Sequence, residues 1–66
     1  MKINKLKGKM REKKVTYKKC AEVLKLSSTT VNDKVNGKKR FYVDEIEKLS
    51  SMLELTLDEK IDIFLN

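Results

Sequence analysis

Hydrogen-bonding and ionic side chains crowd into one part of this chain. From Ser27 to Lys34 it reads Ser27-Ser28-Thr29-Thr30-Val31-Asn32-Asp33-Lys34, and after Asn36-Gly37 come three cations in a row, Lys38, Lys39 and Arg40. Hydroxyls donate and accept, a carboxamide does both at once, and three consecutive cations in a loop suit contacts to an anionic backbone. A second basic pair, Lys18-Lys19, follows Thr16, which is a good helix N-cap. Positive charge opposes the dipole at a helix start, yet a helix N-terminus with two lysines makes a seat for phosphate. This is the chemistry of recognition. Nothing comparable points to bond-making: there is no His, a single cysteine and no phosphate-gripping Gly-rich loop, and the acids fall at capping or solvent positions. No enzyme activity, metal site, cofactor or small-molecule ligand is expected.

The elements that must position these groups can be read from periodicity. Cys20, Ala21 and Leu24 share one face of a helix opened by Thr16, with Leu26 as an apolar plug in the turn after it. Ser27 is the expected N-cap of the next helix, about 28–36, whose apolar face is only Val31 and Val35; Gly37 stops it in a left-handed cap. A polar helix braced by another across a short turn, over Thr16 to Gly37, is a helix-turn-helix. Before it, Ile3, Leu6 and Met10 mark a helix over about 3–13, with Lys5, Lys9 and Arg11 outside. After it, Phe41 and Val43 are expected to re-enter the core, and Ile46, Leu49 and Leu53 mark a helix over about 44–53. Thr56-Leu57-Asp58-Glu59 is a capping box opening a fifth helix, about 57–65, with Leu57, Ile61, Phe64 and Leu65 as its apolar stripe and Ile63 off it.

Sixty-six residues with no Pro, two Gly, and 39% hydrophobic against 39% charged residues read as one all-α domain over 1–66, compact and five-helical. Ala21 is small where helices cross, and Cys20 is expected to be a buried small hydrophobe. One cysteine allows no internal disulfide, and no apolar run approaches the roughly 18 residues of a membrane span, so a cytoplasmic place without membrane contact is expected. Charge is one-sided. Residues 1–40 hold fourteen Lys or Arg against three acids, a net +11, while residues 41–66 hold two against seven, a net −5. Basic charge gathered in one half is the footprint of a polyanion partner.

The stretch LKGKMREKKVTYKKCAEVLKLSSTTVNDKVNGKKRFYVDEIEKLSSMLEL, residues 6–55, resembles the lambda-repressor-like helix-turn-helix family, in particular its Cro-type phage repressors. The features that carry the resemblance are Thr16, Ala21, Leu26, Ser27 to Val31, Asn36 to Lys38, Phe41, and Glu45 to Leu49. The chain departs from the pattern at Lys25, where Gly is common and a left-handed conformation is implied. It also departs at Cys20, at Lys18 and Lys19, and at Lys34, beside which Val35 takes over packing.

The resemblance implies that the third helix reads base edges in the major groove, which nominates Ser28, Thr29, Asn32 and Asp33. Asn32 suits bidentate binding to adenine, and the Thr29 methyl suits a thymine methyl. Phosphate contacts would fall to Thr16, Tyr17, Lys18, Lys34, Lys38, Lys39 and Arg40. The implied function is a transcriptional repressor that occupies an operator in double-stranded DNA, in a bacterial cytoplasm or a phage-infected cell. A homodimer is expected through the same domain, with Ile63, Phe64 and Leu65 of the apolar C-terminal run as the candidate surface. Two other readings are an antirepressor or adaptor with a protein partner, and an architectural or excision-type DNA protein.

Overall fold

Five helices form where the periodicity places them. The computed structural model describes residues 1–66: α1 spans Ile3–Glu12, α2 Tyr17–Leu24, α3 Ser28–Val35, α4 Val43–Met52 and α5 Leu57–Phe64. The starts are written in local chemistry. Thr16 Oγ1 accepts from the Lys19 N–H at 3.1 Å and Ser27 Oγ from the Thr30 N–H at 3.1 Å. Thr56 and Glu59 form the full capping box, each side chain satisfying the other's backbone N–H.

The helix ends repeat one device. α1 to α4 each finish on a left-handed residue, Lys14 (φ 57°), Lys25 (φ 58°), Gly37 (φ 78°) and Glu54 (φ 54°). The residue after each sends its N–H back five positions: Val15 to Met10, Leu26 to Ala21, Lys38 to Asp33 and Leu55 to Ser50. Lys25 takes the conformation implied by its departure from the family's Gly; Lys14 and Glu54 are further cases that composition does not signal. A side chain with a Cβ strains this region by roughly 1–2 kcal/mol. Lys25→Gly is therefore expected to raise stability, by up to about 1 kcal/mol after the extra unfolded-state entropy of Gly, read as a higher urea midpoint. A lower midpoint would show that the lysine stem stabilises the turn.

In three of these turns the residue after the left-handed position is apolar. Val15, Leu26 and Leu55 are half-buried against the core. The core itself draws on every helix: Leu6 and Met10, Cys20, Ala21 and Leu24, Val31 and Val35, Leu49, and Ile63 and Phe64, with Phe41 and Leu53 from the flanking turns. α2 packs on α3 and α4, while α1 bridges α3 and α5. Burial pushes the Cys20 thiol pKa up, which suits its role as a small apolar side chain.

Two sequence expectations are corrected here. Val43 is 77% exposed: it is the first residue of α4 and points outward, while Phe41 alone re-enters the core. α5 is rolled relative to its expected stripe. Ile63 is buried, and Leu57, Ile61 and Leu65 lie outside at 69%, 42% and 66% exposed. Two tertiary contacts set that roll. Phe64 meets Phe41 edge to face with ring centroids 5.7 Å apart, and the Ile63 carbonyl accepts from the Lys2 N–H at 2.8 Å. No helix is long and apolar enough to cross a membrane.

Candidate nucleic-acid interface

Each residue of an α-helix turns about 100° from the last. Ser28, Thr29, Asn32, Asp33 and Asn36 therefore share one arc of α3, and Val31 and Val35 occupy the other. Ser28, Thr29 and Asn32 are exposed, as a base-reading face requires, while Asp33 is half-buried. Asp33 turns toward the loop: its carboxylate lies 3.7 Å from Lys39 Nζ, and its carbonyl accepts the N–H groups of Lys38 and Lys39. That ties the α3 end to the basic loop.

Asn32 is not a free rotor. Asn36 Nδ2 donates to Asn32 Oδ1 at 3.0 Å and to the Asn32 carbonyl at 2.8 Å, and Lys7 Nζ of α1 donates to Asn36 Oδ1 at 2.6 Å. The relay from Lys7 through Asn36 fixes which end of the Asn32 amide is oxygen. Its Nδ2 donor is left without an intramolecular partner, and one Oδ1 lone pair remains.

Cations reach α3 from two elements, Lys7 of α1 at Asn36 and Lys39 of the following loop at Asp33. Thr16 and Lys18 are exposed and Tyr17 half-buried at the start of α2, where no acid occupies the first turn. The turn after α3 differs from its three counterparts. Where those place Val15, Leu26 and Leu55 on the core, this one places Lys38, exposed, with exposed Lys39 and Arg40 after it. The hydrophobic anchor is forgone and a cation presented. Gly37 lets the turn lie against α1, since a Cβ there would meet Ile3 Cδ1 at 3.2 Å.

The positive charge of α1 divides between two sides. Lys2 and Lys5 bind Asp62 at 2.5 and 2.6 Å, Lys9 binds Glu59 at 2.6 Å, and Lys13 lies 3.7 Å from Glu54. This side is neutralised by the acidic C-terminal part. The other side is not: Lys7 and Arg11 share with Thr16 and Tyr17 a cleft of about 250 Å³ at the start of α2. Lys7 and Arg11 thus join the cationic surface. Sequence reasoning missed Lys7 and placed Arg11 merely outside; the available signal was their i, i+4 spacing, opposite the lysines that acids could pair.

Those pairs shift the acids. The Lys9 ammonium, then the Thr56 N–H, hold Glu59 at a pKa of about 2 against an ordinary 4.5. Lys2, then Lys5, hold Asp62 at about 2 against 3.8. Both shifts are downward, so the stabilisation is complete above the ordinary values and is lost as pH falls toward about 2. The double variant Glu59→Gln/Asp62→Asn is expected to melt below the native chain at pH 7 and to converge with it as pH nears about 2. A constant gap in melting temperature across that window would exclude these ion pairs as its cause.

Two groups of expected contact residues are corrected by burial. Lys34 does not face outward with the other cations: its side chain is 5% exposed and its Nζ lies 2.5 Å from Glu45 Oε1. Ile63 and Phe64, expected on a self-association surface, are 2% and 9% exposed and belong to the core; of that trio Leu65 alone is exposed. The apolar surface that α5 presents is Leu57, Ile61 and Leu65, at i, i+4 and i+8.

Residues 5–63 match the family model of the Cro/C1-type HTH DNA-binding domain. No curated protein and no solved structure gives a significant match.

Proposed function

Because this chain belongs to the Cro/C1-type HTH DNA-binding domain family, a family of DNA-binding regulators and not of enzymes, we propose that it is a sequence-specific transcriptional repressor of phage Cro type. In this reading it acts in the cytoplasm of a bacterial or phage-infected cell by occupying an operator that polymerase needs. α3 lies in the major groove, where Ser28, Thr29 and Asn32 meet base edges and Asp33 bounds the face. Thr16, Tyr17, Lys18, Lys38, Lys39 and Arg40 hold phosphates, joined by Lys7 and Arg11. The observation that carries this reading is that Lys7, Arg11, Lys18, Lys38 and Arg40 have no acidic partner and Lys39 pairs only with Asp33 of α3 itself, while the lysines on the far side of α1 are matched by acids.

The reading includes a homodimer. Leu57, Ile61 and Leu65 support it as one line of exposed apolar side chains along α5. A two-fold dimer implies a palindromic operator with half-sites about 10 bp apart.

Selection from a random DNA pool at near-physiological salt tests the whole. Recovery of a two-fold symmetric site is the expected result. An unenriched pool would leave only charge-driven binding and overturn the assignment of a sequence-reading repressor.

A further inference from the structure

α3 is held to the rest of the protein by very little apolar surface. Its buried hydrophobic residues are Val31 and Val35 alone. Two valines at i and i+4 lie on a line nearly parallel to the helix axis, and dispersion contacts have no direction. Such a helix can roll about that line. With side chains reaching 5–6 Å from the axis, a roll of about 15° moves the tip of Asn32 by about 1.5 Å, whereas base-edge hydrogen bonds need placement within roughly 0.5 Å.

Two directional contacts stand off that line: the part-buried bond from Lys7 to Asn36 at the end of α3, described above, and one that is fully buried. Lys34, 4% exposed, lies on α3 and reaches Glu45 of α4, 7% exposed, with Nζ 2.5 Å from Oε1. The same Oε1 accepts the Tyr42 N–H at 2.9 Å, so a single carboxylate caps α4 and binds α3. The Tyr42 side chain makes no cap bond. Its ring instead covers the ammonium, with the centroid 4.6 Å from Nζ. Glu45 is thereby fixed by its own helix start before it meets Lys34. The pair also closes a loop that contains Lys38, Lys39 and Arg40.

Burying an ion pair costs desolvation that its own attraction barely offsets, and apolar replacements are often as stable or more so. Its use must then lie in direction. Building on the DNA-reading function proposed above, we infer that Lys34 and Glu45 are positioning residues for sequence recognition: without touching DNA, their buried pair fixes the roll of α3 and keeps its base-reading face in register with the phosphate-gripping loop.

The test measures, for each variant, affinity for the selected site, affinity for scrambled DNA, and the slope of log affinity against log salt. Lys34→Met/Glu45→Leu is expected to melt near the native temperature, the lost cap on the Tyr42 N–H offsetting what removal of the buried charges returns. It is expected to lose about tenfold of the specific-to-scrambled ratio while keeping the native salt slope. Lys38→Ala is the contrast, lowering the slope by about one unit and weakening both DNAs alike. Lys34→Arg, which can reach the same carboxylate, is expected to keep the ratio. If the double variant does not fold, Lys34→Met/Glu45→Gln serves, since it retains an acceptor for Tyr42 and leaves no buried charge; its ratio is also expected to fall. An unchanged ratio in a folded variant lacking the pair would overturn the inference, as would a salt slope reduced like that of Lys38→Ala. If the native protein has no ratio to lose, the sequence-reading function itself fails, which is a separate result seen before any variant is made.

Discussion

Leu49→Ala is expected to abolish most of the folded population at 37 °C. Leu49 lies in the middle of α4 with no exposed surface. Truncating a buried leucine loses its transfer free energy and leaves a cavity, together about 2–5 kcal/mol. A core in a domain of this size rarely supplies more than about 3–5 kcal/mol of net stability. The deletion therefore removes a large share of what holds α2 and α4 together. Urea unfolding followed by helical circular dichroism gives the change directly, and DNA binding should fall in step with the folded fraction. A loss below about 1 kcal/mol would mean the core closes around the gap and that α4 is held chiefly by its other contacts.

Asn32→Ala is expected to leave stability nearly intact and to damage recognition. Asn32 is exposed, so removing its amide uncovers no core. Its carboxamide is already oriented by Asn36 and Lys7. Little rotamer entropy remains to be lost on binding, which lets one bidentate contact contribute strongly. The expected cost at the selected site is about 1–3 kcal/mol, with relaxed preference at one base position and little change on scrambled DNA. Competition between the selected site and its single-base variants measures this. An unaltered preference profile would remove Asn32 from the reading face and shift it toward Thr29 and Ser28.

These two residues mark how far sequence reasoning carries. Leu49 is legible because Ile46, Leu49 and Leu53 repeat at helical spacing between turn signals, and only one face of α4 satisfies them. Asn32 is legible as a member of a polar helix face. The Asn36–Lys7 relay that orients it is not, since Lys7 lies 29 positions from Asn36. The cationic surface was half-legible. Lys38 to Arg40 announce themselves as a run after a helix stop, whereas Lys7 and Arg11 look like the other α1 lysines until the acids of α4 and α5 are brought alongside.

What the sequence by itself determined is local. Caps at Thr16, Ser27 and Thr56, the left-handed Gly37, and the apolar spacing of α1 to α4 depend on residues within about one turn of each other, so they are written in neighbouring letters; the left-handed Lys25 was implied only by the family resemblance. Tertiary structure alone decided the roll of α5 and the fate of Lys34. α5 has only eight residues, and with its C-cap Leu65 it carries Leu57, Ile61, Ile63, Phe64 and Leu65, enough for two competing apolar faces. Contacts with Phe41 and Lys2, from distant parts of the chain, select one of them. Lys34 carries a charge whose default place is water. It is buried because folding brings Glu45 and the Tyr42 ring to it, and a pairing energy of that kind exists only once both partners have left solvent.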